Sequence, residues 1–229
     1  MFANTLLFPK TCPLCNTKYR ENAPLCPECL ANCTPLNKAC TRCGLPLKSG
    51  IFHGCGNCIG KDLPFDALVG LYEYRSVDGL VLSLKFRASI PAARGIRLLI
   101  EKALENCPHI PELLKRVDVL TPIPLHWKRR LKREFNQSKL IAEIMGELTG
   151  TEVRNLLTRT RFTPPQTSLS ATKRLKNPMG SIAVKGIPPE HVAVIDDVAT
   201  TTATLSEAAR VLKNAGARKV ICITFARST

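Results

Sequence analysis

The sequence predicts an α/β protein, with a parallel sheet flanked by helices and a small metal-binding module at the amino terminus. Two observations on the 229 residues support this fold class. Nine of the eleven cysteines precede residue 60, and beyond it apolar runs of strand length alternate with segments of helical periodicity. Such alternation is typical of a parallel sheet with helices on its faces. We therefore expect a module over residues 1–60 and a larger domain over residues 61–229.

Four CxxC pairs fill the first 60 residues and recur as a duplicated unit, with ten or eleven residues between the two pairs of each unit. A CxxC turn presents two thiolates to one ion, so two turns complete a tetrahedral zinc site with no position left for water. Zinc is favoured over disulfides because no secretory signal is recognisable. We predict two structural Zn²⁺ sites, one formed by Cys12, Cys15, Cys26 and Cys29 and the other by Cys40, Cys43, Cys55 and Cys58.

Other arrangements of these cysteines remain open. The first CxxC pair could share a site with the third, and Cys33 or His53 could replace one ligand. Redox-active CxxC pairs are disfavoured, since all four have metal spacing and none adjoins a βαβ pattern. Cys107 and Cys222 lie in apolar surroundings and are expected in the core.

The elements of the larger domain follow from periodicity. Apolar side chains that recur every three or four residues predict helices, whereas β-rich alternation or short apolar runs predict strands. Pro91 suits the first turn of one helix and Gly150 the end of another. In chain order we expect a strand or hairpin over 65–75, helices over 76–88 and 91–106, a buried strand over 116–125, a helix over 136–150, a polar segment over about 158–180, strands over 181–184 and 192–195, a helix that begins near Thr202 to Thr204, and a last strand over 217–226.

The stretch HVAVIDDVATTTATLSEAARVL, residues 191–212, predicts a ligand site. Its apolar run ends at Asp196 and Asp197, and a loop of small and hydroxylated residues leads into a helix. Ligands of open parallel sheets bind beyond the carboxyl ends of the strands, and a helix amino terminus favours phosphate. Two carboxylates beside a phosphate are explained if they hold sugar hydroxyls, directly or through Mg²⁺ and its waters. The loop therefore predicts a sugar phosphate ligand, with a solvated acidic turn before a capped helix as the alternative.

Charge and hydropathy narrow the class of protein. A formal net charge of +15 indicates an anionic partner such as nucleic acid, an acidic membrane surface or a phosphorylated metabolite. No apolar run is long enough to span a bilayer and no signal peptide is recognisable, so we expect a cytoplasmic protein without membrane insertion. The glycine-rich dinucleotide fingerprint and the GxxxxGK[ST] phosphate loop are absent, which disfavours simple nucleotide binding.

Four stretches together resemble one known family. AVIDDVATTTATL is similar to the phosphoribosyl pyrophosphate (PRPP) loop of type I phosphoribosyltransferases. PIPLHWKRRLKREFNQ over residues 122–137, QTSLSATKRLKN over residues 166–177 and the cysteine pattern extend the likeness to the ComF/ComFC family of competence proteins, which also includes GntX. The resemblance covers nearly the full length and implies a type I phosphoribosyltransferase-like fold with an amino-terminal double zinc ribbon.

The resemblance also implies which residues bind PRPP. The two acids would contact the ribose hydroxyls together with Mg²⁺, and the threonines that follow would contact the 5′-phosphate. Residues 122–126 would lie beside the pyrophosphate, and Arg159 and Arg161 would belong to a loop over the site. Lys85, Arg130 and Arg133 are candidate cations by position. The expected PRPP set is Asp196, Asp197, Ala199, Thr200, Thr201, Thr202, Ala203, Thr204, Lys85, Arg133 and Arg159.

The chain departs from the family pattern in its motifs. Thr202 stands where the family usually has glycine, so a β-branched residue replaces a close backbone approach to phosphate. Glu134 stands where the basic segment usually has glycine. Purine-salvage relatives place a catalytic Asp where this chain has Thr200, so PRPP binding is better supported than any transfer reaction.

A basic run that begins after Pro124 favours a nucleic-acid surface. Trp127 could stack on an exposed base, as in single-strand binding proteins, or pack in the core. The expected contacts to single-stranded DNA are Trp127, Lys128, Arg129, Arg130, Lys132, Lys173 and Arg174, although a solvated basic face would explain the cluster equally well.

The resemblance implies a role in natural transformation. The chain would bind PRPP with Mg²⁺ and help to process and integrate incoming single-stranded DNA, with competence helicase or recombination proteins as partners. The rival hypothesis is an active phosphoribosyltransferase that acts on an unidentified acceptor. Two-metal nuclease chemistry is a weaker third, because one acidic pair is thin support for it.

Overall fold

The structure of the chain is a computed structural model that describes residues 5–50, 53–87, 89–125, 135–160 and 180–228. At the amino terminus, β1 (Thr5–Thr11) and β2 (Lys18–Glu21) pair antiparallel, and the short helix α1 (Pro27–Asn32) follows. The first CxxC pair lies in the turn between β1 and β2, the second lies at the start of α1, and the last two pairs lie between Asn32 and residue 60.

The larger part of the chain is built on a four-stranded, all-parallel sheet. In spatial order its strands are β3 (Ala67–Glu73), β8 (Lys219–Arg227), β7 (His191–Ala199) and β4 (Val119–Pro122). The two central strands are nearly continuous buried apolar runs, as expected where both faces of a sheet are covered. The predicted fold class, a parallel sheet flanked by helices after a zinc-ribbon module, is confirmed.

Helices connect these strands, and sequence signals fix their ends. The Ser89 side chain caps one helix by accepting from the Ala92 N–H at 3.2 Å, and Gly150 closes another in the left-handed region at φ 71°. The predicted helices are confirmed to within a few residues. They are α2 (Tyr74–Arg87), α3 (Ile90–Asn106), α5 (Gln137–Thr149) and α6 (Ala203–Asn214). The short helix α4 (His109–Leu114) was not expected.

Two of the strand predictions are made more precise by the structure. Of the strand or hairpin expected over residues 65–75, the strand is confirmed, and it ends at Glu73 because Tyr74 begins α2. The strand predicted at 181–184 is present as β6 (Ile182–Val184), but it lies outside the parallel sheet and pairs antiparallel with β5 (Leu157–Arg159). This pairing places Arg159 directly beside Ile182.

The cysteine-rich module packs directly against the larger domain. Leu25 contacts the helix pair at Gly95, where a Cβ would lie 3.0 Å from the leucine side chain, and Gly79 leaves room for the Leu14 carbonyl. Backbone hydrogen bonds from Leu36 to Leu71 (2.8 Å) and from Leu68 to Thr41 (3.1 Å) join the module to β3. Residues of the first ribbon share one hydrophobic core with the sheet and helices.

Within the ranges that the structure describes, none of the helices combines the length and apolar character required to cross a bilayer.

Candidate functional site

Eight thiols form two compact clusters in the amino-terminal module. The clusters are the two predicted groups, Cys12, Cys15, Cys26 and Cys29, and Cys40, Cys43, Cys55 and Cys58, with the four sulfurs of each group within 4.8 Å of one another. The fold therefore does not form the interleaved pairing, and neither Cys33 nor His53 takes the place of a ligand in these clusters. Cys33 instead donates to the Ser76 carbonyl at 3.4 Å, and His53 Nδ1 pairs with the Thr41 hydroxyl at 3.0 Å.

The spacing of the sulfurs fits zinc. A regular tetrahedron with Zn–S bonds of about 2.3 Å has sulfur atoms about 3.8 Å apart. The Sγ–Sγ distances are 3.7 Å for Cys15 and Cys26, 3.7 Å for Cys40 and Cys58, and 3.6 Å for Cys43 and Cys55. These distances far exceed a disulfide bond of about 2.05 Å. The clusters are therefore two four-cysteine sites suited to structural Zn²⁺.

The two sites are built on the same turn, which supports the predicted duplication. In the first knuckle the Cys12 N–H donates to Thr17 O and the Asn16 N–H to Cys12 O, both at 2.9 Å. In the second, Cys40 N–H and Gly44 N–H make the equivalent bonds at 2.9 and 2.7 Å. Asn16 and Gly44 both have positive φ, at 62° and 68°, so each knuckle turns through the left-handed region that Gly and Asn tolerate.

A candidate ligand site, separate from the zinc sites, lies at the carboxyl edge of the parallel sheet, where β7 carries Asp196 and Asp197. We call this place the acid edge. Asp196 Oδ1 accepts from the Ser138 hydroxyl at 2.7 Å and from the Asp197 N–H at 2.9 Å. Asp197 Oδ1 accepts from the Val198 N–H at 2.8 Å. The first turn of α5 is thus fastened to the acid pair, and the two carboxylates are held in defined positions by backbone donors.

Asp196 is energetically poised between its two protonation states. Burial, followed by the charge of Asp197, raises the pKa of Asp196 to about 7, against the opposing effect of the Ser138 hydrogen bond. The carboxyl is thus easily protonated near neutral pH unless a cation or a hydrogen-bond donor reaches it. A bound cation would shift this balance toward the carboxylate.

The loop after the acids keeps a glycine-like backbone despite its threonine. Thr202 has φ 61° and ψ −3°, and its side chain makes no capping hydrogen bond to α6. Its carbonyl accepts the first helical bond, from the Ser206 N–H at 2.8 Å. A β-branched residue at positive φ is strained. Threonine in place of the family's usual glycine therefore keeps the left-handed turn but adds strain and a side chain.

Arg159 brings a cation to the same edge. Its Nε donates to the Pro124 carbonyl at 3.0 Å. Burial lowers the pKa of Arg159, and the charge of Asp196 opposes that change. On the other side of the edge, Asn136 caps α5 and its Nδ2 donates to the Ile123 carbonyl at 2.9 Å. The loop after β4, the start of α5 and the end of β5 therefore converge on the acid pair.

Three buried polar atoms at this edge have no hydrogen-bond partner among the described residues. They are Gln137 Nε2, Thr201 Oγ1 and Thr224 Oγ1. Gln137 precedes Ser138, Thr201 belongs to the loop, and Thr224 is the register partner of Asp196 on β8. Buried polar atoms are rarely left unpaired in proteins, so their concentration here indicates a place for a polar ligand or water.

The predicted ligand residues fall into three groups. The acids, Ala199 to Thr204 and Arg159 lie together at the carboxyl edge. Lys85 lies near the carboxyl end of α2. At a rise of 1.5 Å per residue it is about 16 Å along the helix axis from Tyr74, the residue at which α2 begins. Those outside the described residues are Arg133 and the predicted DNA contacts Trp127, Lys128, Arg129, Arg130, Lys132, Lys173 and Arg174.

Two further residues at the edge were not predicted. Ser138 follows the Phe-Asn-Gln motif and its hydroxyl could have been recognised by its position in the first turn of α5. Tyr74 directly follows the carboxyl end of β3; burial raises its pKa, and the charges of Asp78 and Asp197 add to this effect. No sequence signal distinguishes Tyr74, because its place depends on where β3 ends.

Comparison with known proteins agrees with both halves of the chain. Residues 3–59 match the double zinc ribbon domain family. The chain is 32% identical to the DNA utilization protein YhgH of Salmonella typhimurium over 91% of its own length and 86% of that protein. It is 30% identical to the protein of the same name in Escherichia coli over the same shares, and 28% identical to competence protein F of Haemophilus influenzae over 82% and 84%.

Proposed function

The chain belongs to the family of competence protein F and the DNA utilization protein YhgH, and from this premise we propose that it binds PRPP with Mg²⁺ and handles incoming single-stranded DNA in natural transformation. The names of these relatives support a competence-related role. The finer proposal rests on the carboxyl edge of the sheet, where an acid pair, a phosphate-type loop and unpartnered buried polar atoms adjoin one another.

The geometry suits a ligand that is a sugar at one end and a phosphate at the other. Asp196 and Asp197 offer carboxylate oxygens at the end of β7, which can accept hydrogen bonds from ribose hydroxyls. The loop that follows ends at the amino terminus of α6, where the helix dipole favours an anion. The hydroxyl of Thr201 has no partner among the described residues and can donate to a phosphate oxygen.

The same edge offers the donor set that Mg²⁺ prefers. The carboxylates of Asp196 and Asp197 are hard oxygen ligands, and they would hold the ion directly or through its waters. Bound there, Mg²⁺ would neutralise charge on the pyrophosphate oxygens. Arg159 adds a cation close to Asp196, and the raised pKa of Asp196 means that its carboxylate form gains from any cation nearby.

Single-stranded DNA is proposed as the macromolecular partner because of charge. The chain has 33 Lys and Arg against 18 Asp and Glu. The basic run 128–133 lies in the sequence between Leu125 and Phe135. The described residues on either side of it are joined by a hydrogen bond from Asn136 Nδ2 to the Ile123 carbonyl, at the same edge as the acid pair. We propose that this run contacts the DNA phosphates.

Calorimetric titration of the zinc-loaded protein with PRPP and Mg²⁺ tests the ligand. We expect binding that is lost in Asp196→Ala/Asp197→Ala. Asp118→Ala is the matched control, because that acid bonds His191 at the opposite, amino end of β7 and its loss should leave PRPP binding intact. Absence of binding by the wild type, or equal binding by the double variant, would refute the PRPP site.

Fluorescence anisotropy with a labelled single-stranded oligonucleotide tests the partner. Lys128→Ala/Arg129→Ala/Arg130→Ala should weaken binding and make it less sensitive to salt, since three phosphate contacts would be lost. The control Arg218→Ala/Lys219→Ala removes two exposed cations at the amino end of β8. A similar loss in both variants would mean that only the net charge of the protein attracts DNA.

Transfer of phosphoribose to an acceptor is the second candidate, and the intact acid pair favours it. The reaction would release pyrophosphate from PRPP as the acceptor bonds to the ribose carbon. Because Thr200 replaces the usual acid of purine-salvage relatives, no general base for a nucleobase is evident in the loop. Pyrophosphate release that depends on added DNA or nucleobase, and that is lost in the double variant, would establish transfer.

A further inference from the structure

Arg227, the last residue of β8, is a buried cation that touches two parts of the molecule at once. The residue is only 3% exposed to solvent. Nε donates to the Cys43 carbonyl at 3.1 Å, within the second zinc site. Nη1 donates to the Ala199 carbonyl at 2.9 Å, at the end of β7, and to the Thr200 carbonyl at 2.8 Å, in the loop that follows. One planar guanidinium therefore spans the zinc site and the loop.

The surroundings of Arg227 are built for this contact. Gly70 on β3 leaves the space for its side chain, since a Cβ at that position would lie 2.7 Å from Arg227 Cβ. Arg227 is also the register partner of Ala199, and the next residue donates its N–H to the Ala199 carbonyl at 2.9 Å. Backbone and side chain thus fix the same short stretch of loop from the β8 side.

The charge of Arg227 is balanced in an unusual way. Among the described residues, no Asp or Glu forms an ion pair with it. Burial lowers the pKa of Arg227, and the nearby sulfurs of Cys43 and Cys55 oppose that change. A zinc ion with four thiolate ligands has a net negative charge, so the loaded second site would supply the counter-charge that a buried guanidinium needs.

We infer that Arg227 is a positioning residue through which the second zinc site holds the 199–202 loop in its ligand-ready shape. Since the loop turns through the strained Thr202, fixing the carbonyls of Ala199 and Thr200, which lie three and two positions before it, limits the ways in which the turn can relax. The inference rests on the proposed function only for its consequence, which is that PRPP binding depends on this contact.

A second cation supplies the matched control. Lys102 on α3 donates to the Leu30 and Cys33 carbonyls at 2.6 and 2.8 Å, so it fastens the first ribbon to the larger domain in a similar manner. Neither acceptor belongs to the loop at the acid edge. Lys102→Met should therefore loosen a ribbon without changing the loop.

Hydrogen–deuterium exchange on the zinc-loaded, ligand-free full chain tests the inference. In Arg227→Met the amides of residues 199–204 should exchange at least about tenfold faster than in wild type, together with those near Cys43. In Lys102→Met the increase should be confined to the first ribbon and α3. Unchanged loop protection in Arg227→Met, or an equal increase in Lys102→Met, would overturn the inference.

Two further arms keep the result interpretable. If Arg227→Met does not fold, Arg227→Lys retains the charge but replaces the planar fork with a single ammonium, so its loop should still exchange faster than wild type, and wild-type protection would contradict the inference. Titration with PRPP and Mg²⁺ should show binding about tenfold weaker in the Arg227 variant and unchanged in Lys102→Met. Failure of wild type to bind PRPP would refute the proposed function, while the exchange data would still decide the role of Arg227.

Discussion

The two zinc sites and the acid edge differ in how their parts are supplied. Each zinc site takes all four ligands from one short continuous segment, and its sulfurs satisfy the geometry of a single ion. The acid edge draws on β7, α5, β5 and β8, with Ser138 and Asp196 separated by 58 positions in the chain. It also leaves three buried polar atoms without a partner among the described residues. A structural site is thus complete within its ribbon, whereas the edge has room for a ligand.

This comparison predicts that damage to a zinc site destabilises the protein, whereas damage at the acid edge impairs ligand binding with little loss of stability. Four single variants test the distinction and are ordered below by expected effect.

Loss of a zinc ligand should have the largest effect. Cys26→Ser removes a ligand at the capped start of α1, so the protein should hold one zinc equivalent instead of two. We expect its free energy of unfolding to fall by several kcal/mol, since structural zinc contributes roughly 10 kcal/mol of apparent binding energy in zinc-finger peptides. Metal analysis and urea unfolding measure both changes. Cys33→Ala is the control, and a loss of zinc from it would reopen the ligand assignment.

Asp196→Asn should come next, with opposite effects on binding and stability. The pKa of Asp196 is raised to about 7 in the folded chain, from an ordinary value of 3.8. Between pH 3.8 and about pH 7 the folded chain keeps a proton on Asp196 that the unfolded chain has lost. The Asp196 carboxyl therefore lowers the free energy of unfolding as pH rises through this range, and lowers it no further above about pH 7. Asparagine does not titrate, so the variant should be more stable than the wild type above about pH 7.

Urea unfolding of the ligand-free proteins across this pH range measures the effect, and PRPP titration measures the expected loss of at least about tenfold in affinity. A variant less stable than wild type above pH 7 would mean that the carboxylate is stabilised in the fold and that burial does not govern its titration.

Ser138→Ala should have a smaller effect of the same kind. Its hydroxyl donates to Asp196 at 2.7 Å and favours the ionised carboxylate, so removal should raise the pKa of Asp196 further and weaken binding of PRPP with Mg²⁺ about tenfold near pH 7. Thr149→Ala, which removes a hydroxyl bonded to the Met145 carbonyl at the other end of α5, should leave affinity unchanged. Equal affinities in the two variants would remove Ser138 from the site.

Thr202→Gly should have the smallest effect. A β-branched residue at φ 61° costs roughly 1–2 kcal/mol, and glycine loses roughly 0.5–1 kcal/mol of that gain through the entropy of the unfolded chain. We expect the free energy of unfolding to rise by about 0.5–1 kcal/mol. Ser206→Gly, in the next turn of α6, should instead be destabilising. Thermal unfolding compares the two, and destabilisation by Thr202→Gly would show that the threonine side chain contributes contacts that outweigh its strain.

The zinc sites and most elements of the fold were predictable because their signals are local. CxxC spacing defines a knuckle, the Ser89 and Gly150 caps mark helix ends, and the β7 apolar run leads to its acids within one stretch of sequence. The helix start near Thr202 followed from the same local pattern.

The parts that could not be predicted depend on contacts between distant residues. Tyr74 lies at this edge because β3 ends there, and Ser138 reaches Asp196 because α5 begins there. Periodicity predicts that β6 is a strand but does not specify its partner, so its pairing with β5 instead of with a strand of the parallel sheet could not be predicted. Arg227 has no sequence signature, since its function depends on the space at Gly70 and on the carbonyls of Cys43 and Ala199.

A crystal structure of the zinc-loaded chain with PRPP and Mg²⁺ tests the central claim most directly. We expect ribose hydroxyls within hydrogen-bond reach of Asp196 and Asp197, and the 5′-phosphate at the first turn of α6 beside Thr201 and Thr202. Partners should also be found for Gln137 Nε2 and Thr224 Oγ1, from the ligand or from water that accompanies it. An edge that remains without PRPP at saturating concentration, or PRPP bound away from the acid pair, would contradict the account.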